Sequence, residues 1–177
     1  MTLHELLVAC ALCGLVFAAI YGVLDEGLRA YTTGAARAES QQTARVALER
    51  LAREIRQAGR GGVESLDALL RLEPARITLA SDLDGDGRAD SRGEQVTWHL
   101  AAGGILRRDA GGGAQPLANG VQAFEIKYLD ESLAPTLDPG AVRLVEIAVV
   151  TAHPRGPSSL ARGVTTRVET RVRLRNR

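Results

Sequence analysis

The sequence predicts an α+β protein, in which one long N-terminal helix carries an antiparallel β-sheet head on its second half. Three observations support this fold class: an apolar run over residues 3–24, a proline-free stretch of helix formers that extends to residue 60, and alternating polar and apolar segments from residue 76 onward. With 177 residues, the chain suits one anchor and one domain. We divide it into a transmembrane or filament-core segment, a continuation of the same helix, and a globular head: residues 1–24, 25–60 and 61–177.

The first 24 residues are long and apolar enough to span a bilayer, because about 20 apolar residues suffice for a helix. Glu5 lies near the start of this run. A carboxylate at membrane depth is costly, so it marks a function and needs a positively charged partner. A secretory signal peptide has a shorter apolar region, of about 7–15 residues, behind a basic segment, and does not fit. A plain membrane anchor is the remaining alternative, but it gives no reason to retain Glu5.

The N-terminal sequence resembles the mature N-terminus of type IV pilins and type II secretion pseudopilins. Those proteins usually begin Phe-Thr-Leu-Ile-Glu-Leu, after a prepilin peptidase has removed a basic leader ending in glycine. Four residues match in register: Thr2, Leu3, Glu5 and Leu6. Met1 replaces phenylalanine, a tolerated kind of change, whereas His4 replaces an aliphatic residue and is a departure. The chain shows no leader, so either it is in its mature form or its assigned start is too late.

The resemblance implies a pilin fold and roles for Met1 and Glu5. Met1 would be N-methylated, and Glu5 would neutralise the N-terminal amine of an adjacent subunit. The partners implied are other pilins or pseudopilins through the N-terminal helix, the prepilin peptidase and an inner-membrane assembly platform. The chain would be a single-pass inner-membrane protein with its head in the periplasm before assembly. Afterwards it would belong to an extracellular or periplasmic filament.

Residues 25–60 are expected to continue the helix. Apolar residues at a helical spacing form one stripe that should face the sheet: Ala44, Leu48, Leu51, Ile55 and Ala58. Gly59 is a stop signal, so we expect one helix of roughly 58 residues, about 85 Å long. Three glycines are weak points at which this helix can bend or melt: Gly14, Gly22 and Gly34.

Cys10 and Cys13 lie inside the apolar run. Cys-x-x-Cys in a soluble loop indicates redox or metal chemistry, but this pair has no basic neighbours to form thiolates. We expect two small buried residues in the membrane or filament.

Beyond the helix, the pattern predicts about five or six antiparallel strands packed on its second half. Residues 63–72 are expected to form a short helical piece or a loop that ends at Pro74. The candidate strands are residues 76–80, 95–100, 105–108, 122–129, 142–152 and 164–174. Of these, residues 142–152 are mostly apolar on both faces, as in a central strand.

The last candidate strand alternates apolar residues or threonine with charged residues. Its charges are expected on the solvent side of a half-buried edge strand, with a basic binding face as the alternative: Arg167, Glu169, Arg171 and Arg173. His99 and His153 lie apart in sequence, and we expect ordinary strand or surface histidines there instead of metal ligands.

Residues 82–94 form a candidate calcium-binding loop. Carboxylates at positions 1, 3, 5 and 9, with glycine at position 6, match the start of an EF-hand loop: Asp82, Asp84, Asp86, Asp90 and Gly87. Arg88 would supply only its backbone carbonyl. The match is incomplete, because position 12 is Gly93 and the acidic residue Glu94 comes one later.

We expect bound Ca²⁺ to rigidify this loop, since four converging acids repel one another without a cation. The predicted ligand set is Asp82, Asp84, Asp86, Arg88, Asp90 and Glu94. No helix clearly flanks the loop, so it is not an EF-hand module. The alternative is a hydrophilic Asp-Gly turn without a metal.

Three segments of the head are similar to PilW-like minor pilins, of which the type II secretion counterpart is GspJ-like. They are the acidic loop with the following Val-Thr-Trp-His-Leu, residues 51–59, and the C-terminal Arg-Val-Arg-Leu-Arg-Asn-Arg. Such minor pilins join partners in a tip complex that primes assembly and can carry a large adhesin.

The sequence therefore predicts a structural subunit of a type IV pilus or pseudopilus, a minor pilin near the tip that primes assembly and links to partner pilins or an adhesin, and not an enzyme. It contains no Gly-x-Ser-x-Gly elbow, phosphate loop or His/Cys metal cluster. The net charge of +1 gives no case for nucleic acid as a partner. The alternatives are a major pilin, a type II secretion minor pseudopilin, and a membrane-tethered periplasmic calcium-binding module.

Overall fold

A computed structural model describes residues 2–61, 67–152 and 165–176 of the chain. Within them lie one helix and eight strands: α1 (Leu3–Gln57), β1 (Leu69–Glu73), β2 (Arg76–Ala80), β3 (Gln95–Ala101), β4 (Ile105–Asp109), β5 (Gln115–Ala118), β6 (Val121–Leu129), β7 (Leu144–Ala152) and β8 (Thr165–Arg173). The predicted α+β arrangement, with antiparallel sheets packed against one long N-terminal helix, is confirmed. The chain divides into two compact units, Met1–Ala38 and Glu39–Arg177.

The unit up to Ala38 consists of the first part of α1. The helix is continuous through the three glycines that the sequence marked as weak points, and it ends at Gln57, followed by a turn over residues 58–61. It therefore stops close to the predicted stop signal at Gly59.

In the second unit, the predicted apolar stripe of α1 is buried. Leu51, Ile55 and Ala44 have no exposed surface, and Leu48 and Ala58 are 3% and 2% exposed. These side chains belong to the same core as Trp98 and residues from both sheets. Burying a large aliphatic side chain contributes about 1.5–3 kcal/mol, so this stripe fixes the second part of the helix to the head.

The head contains two sheets, and more strands than the sequence indicated. Strands β1 to β5 form one antiparallel sheet in chain order, and β6, β7 and β8 form the other with β7 in the centre. Strand β1 lies in a segment expected to be helical or a loop. Strand β5 contains Pro116, which cannot donate a ladder hydrogen bond and is tolerated here because β5 is an edge strand.

A half-buried carboxylate on α1 ties the helix to the β3–β4 hairpin. The Nε1 of Trp98, a side chain without exposed surface, donates a hydrogen bond of 2.6 Å to Glu54 Oε2. Arg108 Nε donates to Glu54 Oε1 over 2.8 Å, and the two charged side chains are only 18% and 16% exposed. Glu54 thus satisfies the one polar atom of the largest core side chain and an arginine that faces the core.

The C-terminal end of the chain caps α1. The side-chain amide of Asn176 donates to the carbonyl of Ala58 over 3.1 Å and lies 3.4 Å from that of Gln57. Gly59 has a φ of +75°, and a β-carbon there would lie 2.9 Å from the Asn176 carbonyl oxygen. The last carbonyls of a helix lack partners within it, so this contact stabilises the helix end and places the following turn.

Replacing Glu54 by alanine should lower the free energy of unfolding by about 1–3 kcal/mol, because two buried or half-buried donors would lose their acceptor. Urea unfolding of the full chain in detergent micelles measures this, with the fluorescence of Trp98, the chain's single tryptophan, as the signal.

Glu54→Gln keeps an acceptor oxygen and should lose less than Glu54→Ala. Exposed Glu49 on the same helix supplies the control, and Glu49→Ala should change the free energy of unfolding by less than about 0.5 kcal/mol. Equal losses for Glu49→Ala and Glu54→Ala would contradict this account of the contact.

Candidate membrane segment and candidate metal site

Residues 3–24 of α1 expose a largely apolar surface. Among its large side chains, Leu3, Phe17 and Val23 are 73%, 70% and 76% exposed, and an 18-residue window of the helix is apolar with none of its residues buried. By length and composition the helix could cross a membrane, which is compatible with a single-pass anchor. Cys10 and Cys13 are free and exposed on this surface.

Glu5 caps the N-terminus of its own helix. The backbone N–H of Thr2 donates to Glu5 Oε2 over 2.9 Å, and the backbone N–H of Glu5 approaches Thr2 Oγ1 at 3.4 Å. This reciprocal pair is a capping box, whose Thr-x-x-Glu pattern is visible in the sequence. The sequence analysis did not predict this cap. It assigned Glu5 a partner on another subunit, because a carboxylate at membrane depth is costly. His4 is exposed on the helix, and Met1 lies outside the described residues.

Three of the predicted metal ligands come together in the loop between β2 and β3. Carboxylate oxygens of Asp82, Asp84 and Asp86 lie within 4.8 Å of one another, so the group could hold a metal ion. Asp82 is 4% exposed, whereas Asp84 and Asp86 are open to solvent. Hard carboxylate oxygens converging from alternate positions suit Ca²⁺.

The same carboxylates accept hydrogen bonds from the backbone of the loop. Asp82 Oδ1 accepts from Gly85 N at 2.6 Å, and its Oδ2 accepts from Gly87 N at 3.0 Å. Asp86 Oδ1 accepts from Arg88 N at 2.8 Å. These bonds hold the Asp82 and Asp86 carboxylates against the loop backbone, and each carboxylate keeps lone pairs that a cation could use.

Glu94 closes the loop from the buried side. Its side chain is 1% exposed, and its Oε1 accepts from Leu83 N at 2.8 Å while Oε2 accepts from Ser91 N at 2.8 Å. The bond from Leu83 is the main cause that lowers the pKa of Glu94 below its ordinary value, against the opposing effect of burial.

Of the remaining predicted ligands, neither Asp90 nor Glu94 belongs to the three-carboxylate group, and Arg88 contacts it through its backbone N–H, which donates to Asp86. Glu94 is engaged with loop backbone, and its carboxylate is not part of that group; Asp90 and Arg88 are exposed. The structure therefore places three of the six predicted positions as a candidate cation site. Glu94 instead accepts hydrogen bonds from the loop backbone and so holds the loop in its conformation.

The acidic loop is attached directly to the end of α1. Asp82 N donates to the carbonyl of Arg60 over 2.9 Å, and Gly59 N donates to that of Ala80 over 2.8 Å. Gly61 has a φ of +83°, and a β-carbon there would collide with the carbonyl oxygen of Asp82. Glycine is required at this contact, and the first ligand position is thereby fixed relative to the helix end.

The arginines of β8 and His99 lie on strands of the two sheets, outside the candidate cation site. Arg167 pairs with Glu125 at 2.9 Å and Arg171 pairs with Glu146, on the exposed face of edge strand β8, as predicted. His99 lies on β3, where burial and then Arg76 and Arg107 lower its pKa, which favours the neutral ring. His153 lies outside the described residues.

Comparison of the sequence with known proteins finds no family model that matches the chain and no curated protein that matches it.

Substituting glutamine for Glu94 should reduce stability most at neutral pH. Because the folded-state pKa of Glu94 lies below its unfolded-state value near 4.5, its stabilisation is complete above that value and is lost as the pH falls through the folded-state pKa. Unfolding of both proteins between pH 7 and pH 3 measures the difference, which should shrink on acidification.

Asp130 also has a lowered pKa, but it is present in both proteins and its contribution cancels. A difference between wild type and Glu94→Gln that does not change with pH would contradict the role of the ionised carboxylate.

Proposed function

We propose that this chain is a structural subunit of a type IV pilus or related pseudopilus, held in the inner membrane before assembly and placed near the filament tip. The observation that carries the proposal is Glu5, a carboxylate at the start of a helix segment that is otherwise apolar and exposed. The resemblance of residues 1–7 to mature pilin N-termini supports it. So does the α+β arrangement, in which the second part of α1 packs into a β-sheet head.

In this proposal Glu5 pairs with the N-terminal amine of an adjacent subunit. The capping bond from Thr2 N occupies Oε2 in the single chain, and it leaves the negative charge uncompensated. Inside a bundle of apolar helices the attraction between opposite charges is far stronger than at a surface, and an unpaired carboxylate is penalised. The charge would therefore favour the one stagger of neighbouring helices that brings an amine to it.

The proposed partners follow from the same arrangement. Other pilins or pseudopilins would contact the exposed surface of α1, and a prepilin peptidase and an assembly platform would act on the membrane-held form. A tip position would allow the head to carry an adhesin. A membrane-tethered calcium-binding module of the periplasm is the alternative, and it shares the head but has no use for the charge of Glu5.

Glu5→Gln separates charge from capping, because glutamine still completes a capping box. We expect membrane insertion to be unchanged and the amount of the chain in sheared filaments to fall more than about tenfold, since breaking a buried charge pair is strongly unfavourable. Quantitative immunoblots of the two fractions measure this.

Thr2→Ala tests the cap, and Glu26→Gln removes another exposed carboxylate from the same helix. Glu26→Gln should assemble like the wild type. Normal incorporation of Glu5→Gln would defeat the proposal that the charge directs assembly.

We further propose that the acidic loop binds Ca²⁺ in the calcium-rich exterior. The proximity of the Asp82, Asp84 and Asp86 carboxylates supports this, because three negative charges at that distance repel one another unless a cation lies between them. The ion would rigidify the loop and, through the contact between Asp82 and Arg60, the turn that ends α1.

Calcium should raise the midpoint of thermal unfolding of the full chain in detergent. At a calcium concentration of about 100 times the dissociation constant, the expected gain is about 2.7 kcal/mol. Magnesium should give less, because it requires a tighter octahedral shell. Asp82→Asn combined with Asp84→Asn should abolish the shift, while Asp130→Asn, in another acidic turn, should preserve it. An equal shift in the double variant would exclude this loop as the site.

A further inference from the structure

The loop between β6 and β7 presents two leucines to solvent, and one of them, Leu137, lines an apolar groove. Leu133 and Leu137 are 65% and 71% exposed. The groove has a volume of about 400 Å³ and lies where the turn after β1 meets β6. Its lining is mostly apolar: Pro74, Ile126, Tyr128, Leu129, Pro135 and Leu137. Large apolar side chains concentrated at one place on a surface mark an interaction site more often than scattered ones do.

The loop is held in one conformation. Asp130 Oδ1 accepts hydrogen bonds from Ser132 N at 2.9 Å and from Ala134 N at 2.9 Å, and Thr136 N donates to the carbonyl of Tyr128. Leu133 has a φ of +64°, the left-handed region that a leucine rarely adopts, and it is alone among the described non-glycine residues in doing so. Such strain persists where the surroundings enforce it, and a rigid apolar anchor loses little entropy on binding.

The charges around these leucines indicate the kind of surface that would cover them. The loop carries Asp130, Glu131 and Asp138, whereas Lys127 borders the groove and Arg143 directs its guanidinium to backbone carbonyls of Gly140 and Val142. The carboxylates of Glu131 and Asp138 are exposed on the same loop as the two leucines. A matching surface would have an apolar centre and arginines or lysines around it.

The outward face of α1 in the second unit has that composition. Val46 is 52% exposed, and Arg45, Arg53 and Arg56 are exposed within three turns of it, with Glu49 as the carboxylate among them. Within residues 2–61, 67–152 and 165–176, the structure gives no ion pair to any of these three arginines. The chain thus carries two surfaces of opposite charge. The β6–β7 loop has exposed leucines and carboxylates, and the outward face of α1 has an exposed valine and arginines.

We infer that the β6–β7 loop of one copy docks on the arginine-bearing face of α1 in a second copy. Leu133 and Leu137 would lie against Val46 and the aliphatic stems of the arginines, while Glu131 and Asp138 meet the guanidinium groups. The contact joins two different patches, so it is heterologous and can repeat from copy to copy. It concerns copies held in the same membrane and goes beyond the proposed filament role, because it does not require the chain to enter a filament.

Site-specific photocrosslinking of the full chain in its native membrane tests the inference. p-Benzoylphenylalanine replaces Leu137 in one copy, and a second, differently tagged copy is expressed beside it. We expect a crosslink to the tagged copy within residues 45–57. The control places the same group at Leu83, which is 65% exposed on the acidic loop and should give no such product.

Charge reversal supplies the second arm of the test. Glu131→Arg with Asp138→Arg should lower the crosslink yield about tenfold, as should Arg45→Glu with Arg53→Glu in the tagged copy, because each places like charges together. Combining the two reversals should restore the yield.

Trp98 fluorescence establishes that every variant is folded. A crosslink to another protein, to lipid or to a different part of the second copy would overturn the inference. So would failure of the combined reversals to restore the yield in folded protein.

Discussion

The burial of one stripe of α1 beneath the β-sheet head is the constraint on which the rest of the structure depends. Leu51 and Ile55 have no exposed surface in that core, and Glu54, the residue before Ile55, accepts hydrogen bonds from both the indole N–H of Trp98 and the guanidinium of Arg108. The apolar contacts hold the helix against the sheets of the head, and the hydrogen bonds to Glu54 restrict rotation of the helix about its own axis. The end of the helix contacts both Asn176 and the start of the acidic loop. The position of the candidate cation site therefore depends on how the helix packs. Residues 3–24 of the same helix expose an apolar surface, and residues 25–38 are mostly exposed and more polar.

Both candidate sites pair a charged carboxylate with backbone donors of the same chain. Thr2 N satisfies part of Glu5, and Gly85 N and Gly87 N satisfy part of Asp82. These bonds position the oxygens but do not neutralise them, because a backbone N–H carries only a partial charge. A membrane interior or a cluster of three acids makes that remaining charge costly. The proposed amine partner of Glu5 and the proposed calcium ion at Asp82 would each neutralise a negative charge that the backbone donors leave in place.

The parts of the fold with strong periodicity could be predicted from the sequence. The stripe that includes Leu51 is helical in spacing, and the strands that contain Ile77, Trp98 and Ile126 alternate or are apolar, so both were identified close to their observed bounds. Strand β5 is short and contains Pro116, which argues against a strand until its edge position is known.

The division into two sheets is set by long-range pairing that local patterns do not encode. The role of Glu54 was hidden for the same reason, since Trp98 lies 44 residues away. In the acidic loop, the spacing of the aspartates predicted that their carboxylates converge. The spacing could not show that the Glu94 carboxylate accepts hydrogen bonds from backbone N–H groups of the loop.

Intact mass spectrometry of the native protein, with N-terminal fragmentation, tests the account of a membrane-stored filament subunit most directly. Sheared filaments and membranes are measured separately. The account predicts a chain that begins at N-methylated Met1 and is present in the filament fraction, in small amount relative to a major subunit. An unmethylated or longer chain confined to membranes would contradict it and would leave a tethered head with an acidic loop.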